Sequence, residues 1–407
     1  MSSSPPVRTR RVFYIPGYDP IHPRRYRELY RKESTAQAAI SGYEVTLRPK
    51  VTKGPYGWHV SAQMDGAEVE TDVEVLYWSD IVRDSMANTI PATYLSLIRT
   101  ASVYIFSGAL FRLMRLRKGP VIAALYPVMF LLVQLLLAIG LGLLAVWGVA
   151  ALIGLVMPGA ELVAWLALPV VMIPVLRWFK AKDNKFFAYY LMHDYSFSAR
   201  TLGANSDALE ERIASFAETI ATALKSDADE VLVVGHSSGA HLAVSILSDL
   251  IRAGKVREDG PVLSFLSLGQ VVPMVSFLPR AQRLRADLAF LSEREELTWV
   301  DVTAPGDGCA FALCDPVAVT GVAGAGKRWP LVLSAAFTQT LSPERWKELR
   351  WRFFRLHFQY LCAFDRPDHY DYFRITAGPL TLYARYKDRA PSKSRIETPV
   401  NRYRSVA

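Results

Sequence analysis

Between Val121 and Leu176 the chain runs 56 residues with a single charged side chain, Glu161. Nothing else in the sequence restricts the fold so severely. A helix crosses the hydrocarbon core of a bilayer with about 20 apolar residues, and all its backbone polar groups are then bonded within the segment. The run is long enough for two such helices. The stretch Met157 to Glu161, Met-Pro-Gly-Ala-Glu, is where the turn between them belongs. A helical hairpin buried in a soluble core would show polar faces over this length, whereas this run offers only Gln134 and Glu161. The expectation is a transmembrane hairpin occupying 119–178. Arg112, Arg115, Arg117 and Lys118 precede it, Arg177, Lys180, Lys182 and Lys185 follow it, and the connection has no positive charge. By the positive-inside rule both outer ends, with everything attached to them, belong on the cytoplasmic side.

The remainder must be water-soluble. Charged residues are 21% of the chain even though hydrophobic ones are 51%. The net charge of +9 would suit an anionic partner. Much of that excess flanks the apolar run, and no basic helix is interleaved with stacking aromatics, so nucleic acid is not an expected partner. Cys309, Cys314 and Cys362 are an odd, sparse set, which argues against a disulfide framework and fits a reducing compartment. Cys309 and Cys314 lack a second Cys or His pair at zinc-site spacing, so no metal is expected. The first 20 residues contain no apolar core of a signal peptide, nor a twin-arginine signal.

The soluble segments alternate strand and helix. RRVFYIPG, GYEVTLRPKV, GWHVSAQMDGAEVETDVEVLYWSD (carrying the apolar run VEVLYW), EVLVVG, VLSFLSLG, LTWVDV and LVLSAAF read as strands. Ser206 to Asp227, Gly239 to Gly254, and the stretch from Ser342 through HFQYL read as helices, the last as one amphipathic helix with Ser342 as N-cap and Pro343 at its first position. Such alternation implies an α/β fold with a mostly parallel sheet covered by helices. The expected organisation is a disordered N-terminus over 1–10, a discontinuous α/β domain over 11–118 and 179–388, the hairpin inserted at 119–178, and a disordered tail over 389–407.

One segment carries chemistry. At Gly235-His236-Ser237-Ser238-Gly239 an apolar strand turns at once into a helix. This is the G-x-S-x-G elbow in its required context. Gly235 and Gly239 permit a strained turn that lifts the Ser237 hydroxyl clear of the backbone, and the N–H of Ser238 is left at a helix N-terminus, where an oxyanion can be bound. His236 reads as a side chain of the turn, and His241, on the helix, as a packing or solvent-facing residue.

On these residues the chain resembles the α/β-hydrolase superfamily, in particular its serine esterases and lipases, over roughly 10–100 and 185–385. The resemblance implies an α/β-hydrolase-like sheet and a nucleophile–acid–base order along the chain. It also implies a second oxyanion donor on a loop after an early strand, often His-Gly. FYIPGYDP stands there, with Pro16 in place of the histidine, which puts the donor N–H on Tyr18, next to Gly17. The acid is expected past a late strand. Asp307 lies in the Pro/Gly loop after LTWVDV, whereas Asp301 lies within the strand and Asp315 further along. Two histidines follow, His357 in HFQYL and His369 in HYDYF. HFQYL looks more like the base segment of membrane-associated relatives, so His357 is preferred, with His369 as the alternative.

GVAGAGKR, Gly321 to Arg328, imitates a phosphate-binding loop. Arg328 stands where Ser or Thr would hold magnesium, and Trp-Pro follows in place of a helix, so it reads as a plain loop. The functional expectation is a membrane-anchored serine hydrolase acting without cofactor on a lipid or small acyl ester. The alternative is a non-catalytic membrane protein using the same scaffold for interactions. A transporter component is disfavoured because the spans offer a solute so few polar groups.

Overall fold

The computed structural model describes residues 6–86, 89–157, 159 and 161–407. Residues 1–5 of the N-terminal segment expected to be disordered, and Pro158 and Ala160 of the expected turn, lie outside the described residues. The chain divides into two compact units. One comprises Met1–Asp84, Ser107–Pro120 and Thr201–Ala407, the other Ser85–Phe106 and Val121–Arg200.

The first unit is built on an eight-stranded sheet in the order β2-β3-β4-β1-β5-β6-β7-β8. The strands are β1 (Thr9–Ile15), β2 (Glu44–Pro49), β3 (Gly57–Met64), β4 (Ala67–Val75), β5 (Glu230–His236), β6 (Val262–Leu268), β7 (Leu297–Thr303) and β8 (Leu331–Ser334). All neighbours are parallel except β3, which runs antiparallel to both β2 and β4. The antiparallel strand comes from a tight hairpin at Asp65-Gly66, where both residues have positive φ, 53° and 77°. Asp-Gly is the pair that such a two-residue turn favours. β1 thus begins at Thr9, inside the segment expected to be disordered.

β1 and β5 lie side by side in the middle of the sheet, and every residue of β5 is buried. Strands covered on both faces need apolar residues throughout. The one buried charge on β5 is matched. Glu230 accepts from Arg10 Nε at 2.6 Å and from Ser264, while Arg10 also donates to the carbonyls of Gly378 and Leu380. The helix Asp207–Ala223 begins as expected, with the Ser206 side chain accepting from Leu209 N–H.

Two expectations fail. The single helix from Ser342 onward is three pieces, Pro343–Leu349, Phe353–His357 and a 3-10 turn at Gln359–Leu361. The chain leaves helical geometry at Arg352 (φ −101°, ψ 67°), so the polar and aromatic faces of the two parts are re-aimed independently. The tail is not disordered either. Ile396 bonds to the backbone of Leu313 and Asp315, and buried Asn401 donates to the Ser276 carbonyl at 3.1 Å. Backbone pairing with ordered loops fixes a segment whose composition alone looked unstructured.

The second unit is helical, with Ile90–Phe106, Ala167–Ala181, Ala188–Ala199 and most of Lys118–Val156. Leu97, Leu131, Ala188, Tyr189 and Met192 form its buried cluster, and the Tyr94 hydroxyl donates to the Leu131 carbonyl at 2.9 Å. Two segments, Lys118–Val156 (mean hydropathy 2.6) and Glu161–Ala181 (2.0), are long and apolar enough to cross a membrane.

Candidate functional site

The parallel strands end along one edge of the sheet, where their loops converge. Ser237 follows β5 directly and has φ 56°, a left-handed conformation that costs a non-glycine residue energy. The turn survives because its surroundings hold it. Ser237 N–H donates to the Leu268 carbonyl at the end of β6 (2.9 Å), and Ala240 N–H to the Ser237 carbonyl (3.1 Å). A side chain at Gly239 would collide with the carbonyl oxygen of Ile15, so only glycine lets the helix Gly239–Arg252 start this close to β1. The first N–H groups of that helix, beginning at Ser238, have no acceptor within it.

The loop after β1 lies beside the serine. A Cβ placed on Gly17 would stand 2.9 Å from Ser237 Cβ and 3.3 Å from its Oγ. Trp78 pins this loop by donating its indole N–H to the Pro16 carbonyl (3.0 Å) and meeting the buried Tyr18 ring edge-on.

Past β7 the chain turns through Asp307, whose side chain is fully buried. His357 Nδ1 donates to Asp307 Oδ2 at 2.7 Å. The same oxygen accepts from the Tyr360 hydroxyl at 3.0 Å, and Oδ1 accepts from Cys309 N–H at 2.9 Å. Burial alone would raise the Asp307 carboxyl, but the His357 imidazole and these donors outweigh it and hold the group below the usual carboxylate range. Tyr360 is fixed in turn by accepting from Ala304 N–H. The His357 ring lies over Gly269, at φ 52° immediately after Leu268, where an added Cβ would stand 3.0 Å from His357 Cε1. His357 Nε2 is buried and has no hydrogen-bond partner among the described residues.

Beneath His357 lies His236, ring centroids 4.8 Å apart. Its Nε2 is 3.0 Å from the His357 carbonyl, an acceptor, so Nε2 carries the proton and Nδ1 accepts from the Tyr14 hydroxyl at 3.3 Å. Burial and the neighbouring His357 push the His236 pKa down to about 3. A neutral ring with both nitrogens engaged is a strut, and it bears on the backbone of His357.

Of the residues named from the sequence, Asp307 and His357 are joined by a hydrogen bond, Ser237 and Ser238 form the turn after β5, and Tyr18 follows Gly17 beside that turn, while His357 Nε2 makes no hydrogen bond to Ser237. His369 lies elsewhere, its Nδ1 2.9 Å from Asp368 and 3.0 Å from Arg389. Asp301 is buried in β7 against Ser267 Oγ (2.6 Å). Asp315 caps the helix Pro316–Thr320 and pairs with Lys327 at 2.7 Å, which assigns the lysine of the glycine-rich loop a structural contact. His241 is buried, and desolvation lowers its pKa to about 4. The sequence reading did not assign Tyr360 a role, although its three-residue spacing from His357 was visible. It also missed the support that His236 and Tyr14 give from β5 and β1.

Asp307, Cys309 and His357 are also the one group among the described residues with ligand atoms close enough to share a metal ion, all within 4.8 Å. Both Asp307 oxygens and His357 Nδ1 already have partners, in one another, the Tyr360 hydroxyl and Cys309 N–H. The donor set suits an oriented imidazole better than a metal centre. Searches against protein-family models, curated proteins and solved structures find no match to this chain.

Proposed function

We propose that the protein is a membrane-anchored serine hydrolase that cleaves an ester of a lipid or small acyl compound through an acyl-enzyme. The observation that carries this reading is the buried Asp307–His357 pair with Nε2 unengaged, set beside the strained Ser237 turn. Asp307 holds the imidazole in the tautomer that leaves the Nε2 lone pair available. His357 Nε2 takes the Ser237 hydroxyl proton as Oγ attacks the ester carbonyl. The negative charge that develops on the carbonyl oxygen is met by the N–H groups of Ser238 and Tyr18. His357 then protonates the departing alkoxide, and water repeats the sequence to free the acid. These steps use no metal or organic cofactor.

The two span-capable helices support a bilayer anchor, and the basic residues on their outer flanks support a cytoplasmic body. A body held at the bilayer favours esters that partition there. Treatment of the purified protein with a fluorophosphonate probe tests the chemistry. Wild type is expected to gain a covalent adduct that Ser237→Ala lacks; equal labelling of both, or of neither, rejects the hydrolase reading and leaves the interaction-scaffold alternative.

A further inference from the structure

The break that divides the segment after Ser342 leaves Arg350, Trp351, Arg352 and Phe353 consecutively exposed, Trp351 at 73% and Phe353 at 44%. A large aromatic side chain this exposed is costly in water. The surrounding charge is one-sided. Between Pro343 and Leu356 five basic residues face two acidic ones, and Glu348 is already shared by Arg352 (3.1 Å) and Arg355 (3.3 Å). Arg350 stacks on the Trp351 ring at 5.6 Å. Tryptophan and arginine side by side match the headgroup layer of a membrane, where the ring lies among glycerol and carbonyl groups and the guanidinium meets phosphate.

The position of this segment points the same way. Phe353 packs on Gly308, where an added Cβ would stand 3.1 Å from its ring, and Trp346 covers Gly306, so the segment roofs the loop that carries Asp307. Gly119 also approaches this loop, its Cβ position 3.4 Å from Gly308 Cα. Gly119 is the second residue of the span-capable helix Lys118–Val156, and the exposed apolar surface of that helix begins at Ile122, 63% exposed. Arg115 and Lys118 are exposed just before it. Within the first unit the acid loop thus touches both the basic aromatic segment and Gly119, two residues before the chain turns apolar in sequence.

We infer that Arg350–Phe353 is a second membrane contact, which docks the rim of the site on a bilayer surface bearing anionic phospholipid and presents the site to esters drawn from that surface. Trp351 and Phe353 enter the headgroup layer, while Arg350, Arg352 and Arg355 bind lipid phosphates. This inference rests on the bilayer anchor proposed above.

Hydroxyl-radical footprinting of the full-length protein in nanodiscs tests it. The discs contain phosphatidylcholine with about 30 mol% phosphatidylserine, enough to give an attractive surface potential. Oxidation of Trp351 is read against exposed Tyr383 in the same unit. Trp351 is expected to be protected in wild type, and its oxidation to rise about tenfold in Arg350→Glu/Arg352→Glu. Because the variant could misfold, the same rise is sought in wild type at about 1 M salt, where screening shortens electrostatic reach to about 3 Å. Trp351 oxidation that neither the variant nor salt changes overturns the docking inference. Failure of the anchor shows separately, as release of the chain from membranes by alkaline carbonate. Failure of the chemistry shows as loss of the Ser237 adduct, which footprinting does not read.

Discussion

Asp307 and His357 act on one another through a single 2.7 Å bond, so conservative substitutions separate geometry from chemistry. Asp307→Asn keeps the shape, but the amide donates where the carboxylate accepted, and the imidazole then turns its other tautomer toward Ser237. By the proposed mechanism this lowers the turnover of an ester substrate on the order of 10⁴-fold, and His357→Gln lowers it at least as far. His369→Gln, with its partners Asp368 and Arg389 away from Asp307, is expected to stay within about twofold of wild type, within the range of surface changes. Initial rates on a chromogenic ester check this; equal losses at both histidines contradict the assignment of His357 as base. The turn at Ser237 was legible in the sequence because an elbow is local, a strand, two glycines and a helix within a few residues. Which histidine meets Asp307 was not, since both stand in His-x-x-Tyr and the choice is made by chain contacts about 50 residues apart.

Asp301 gives a test independent of catalysis. Burial in β7 pushes its carboxyl up to about 8, with the Ser267 hydrogen bond opposing the rise. The native chain therefore keeps a proton that the unfolded chain gives up near pH 4. Between these values the native state binds more protons, so stability falls as pH rises, by at most about 1.4 kcal/mol per pH unit. Asp301→Asn removes the titration while keeping the volume. Its thermal midpoint relative to wild type is expected to climb from about pH 5 to about pH 8, the window set by that raised pKa. A difference that is flat with pH, or falls, refutes the buried neutral carboxyl.

At the level of elements, period and composition marked the stretches that hold the strands, because β-branched and aromatic runs bounded by turn residues are local signals, but β3 and β4 read as one run. The reversal of β3 was written in Asp65-Gly66 and went unread, because the stretch from Gly57 to Asp80 reads as a single run. The helix after Ser342 misled for a different reason. Its amphipathic pattern continues through Arg350–Arg352, but tertiary contacts of Trp346 and Phe353 with the Asp307 loop win over the local preference and split it. The tail misled by composition. Its Pro, Ser and Lys content resembles a disordered segment, yet Ile396 N–H donates to the Leu313 carbonyl (2.7 Å) and Ser405 accepts from buried Arg285 (2.7 Å). Removing residues 395–407 strips these partners and leaves the Arg285 guanidinium short of one acceptor. We expect a loss of roughly 2–4 kcal/mol, from several hydrogen bonds at about 1 kcal/mol each. Denaturant titration of the truncated protein measures it, and an unchanged midpoint would mean that the tail rests on the surface without holding it.

Over the whole molecule the two apolar helices are unequal, 39 residues in Lys118–Val156 against 21 in Glu161–Ala181. At 1.5 Å per residue the longer one reaches about 58 Å, well beyond a hydrocarbon layer of about 30 Å. In a bilayer it would lean, or run partly along the interface, with its exposed apolar residues from Ile122 onward toward lipid. An even number of spans returns the chain to the side from which it entered. The basic clusters Arg112 to Lys118 and Arg177 to Lys185 oppose transfer of either outer end, while the connection at Met157 to Glu161 carries no positive charge and passes more easily. A single cysteine at Gly159 should therefore react with a membrane-impermeant maleimide added outside intact cells. One at Ser206, beyond the second cluster, should react only after permeabilisation, with the native cysteines replaced by serine in both. Reaction at Ser206 in intact cells would place the body outside. Reaction at neither position until permeabilisation would show that the hairpin dips into one leaflet without crossing, and the body would then be held at the surface by the basic flanks and the Trp351 segment alone.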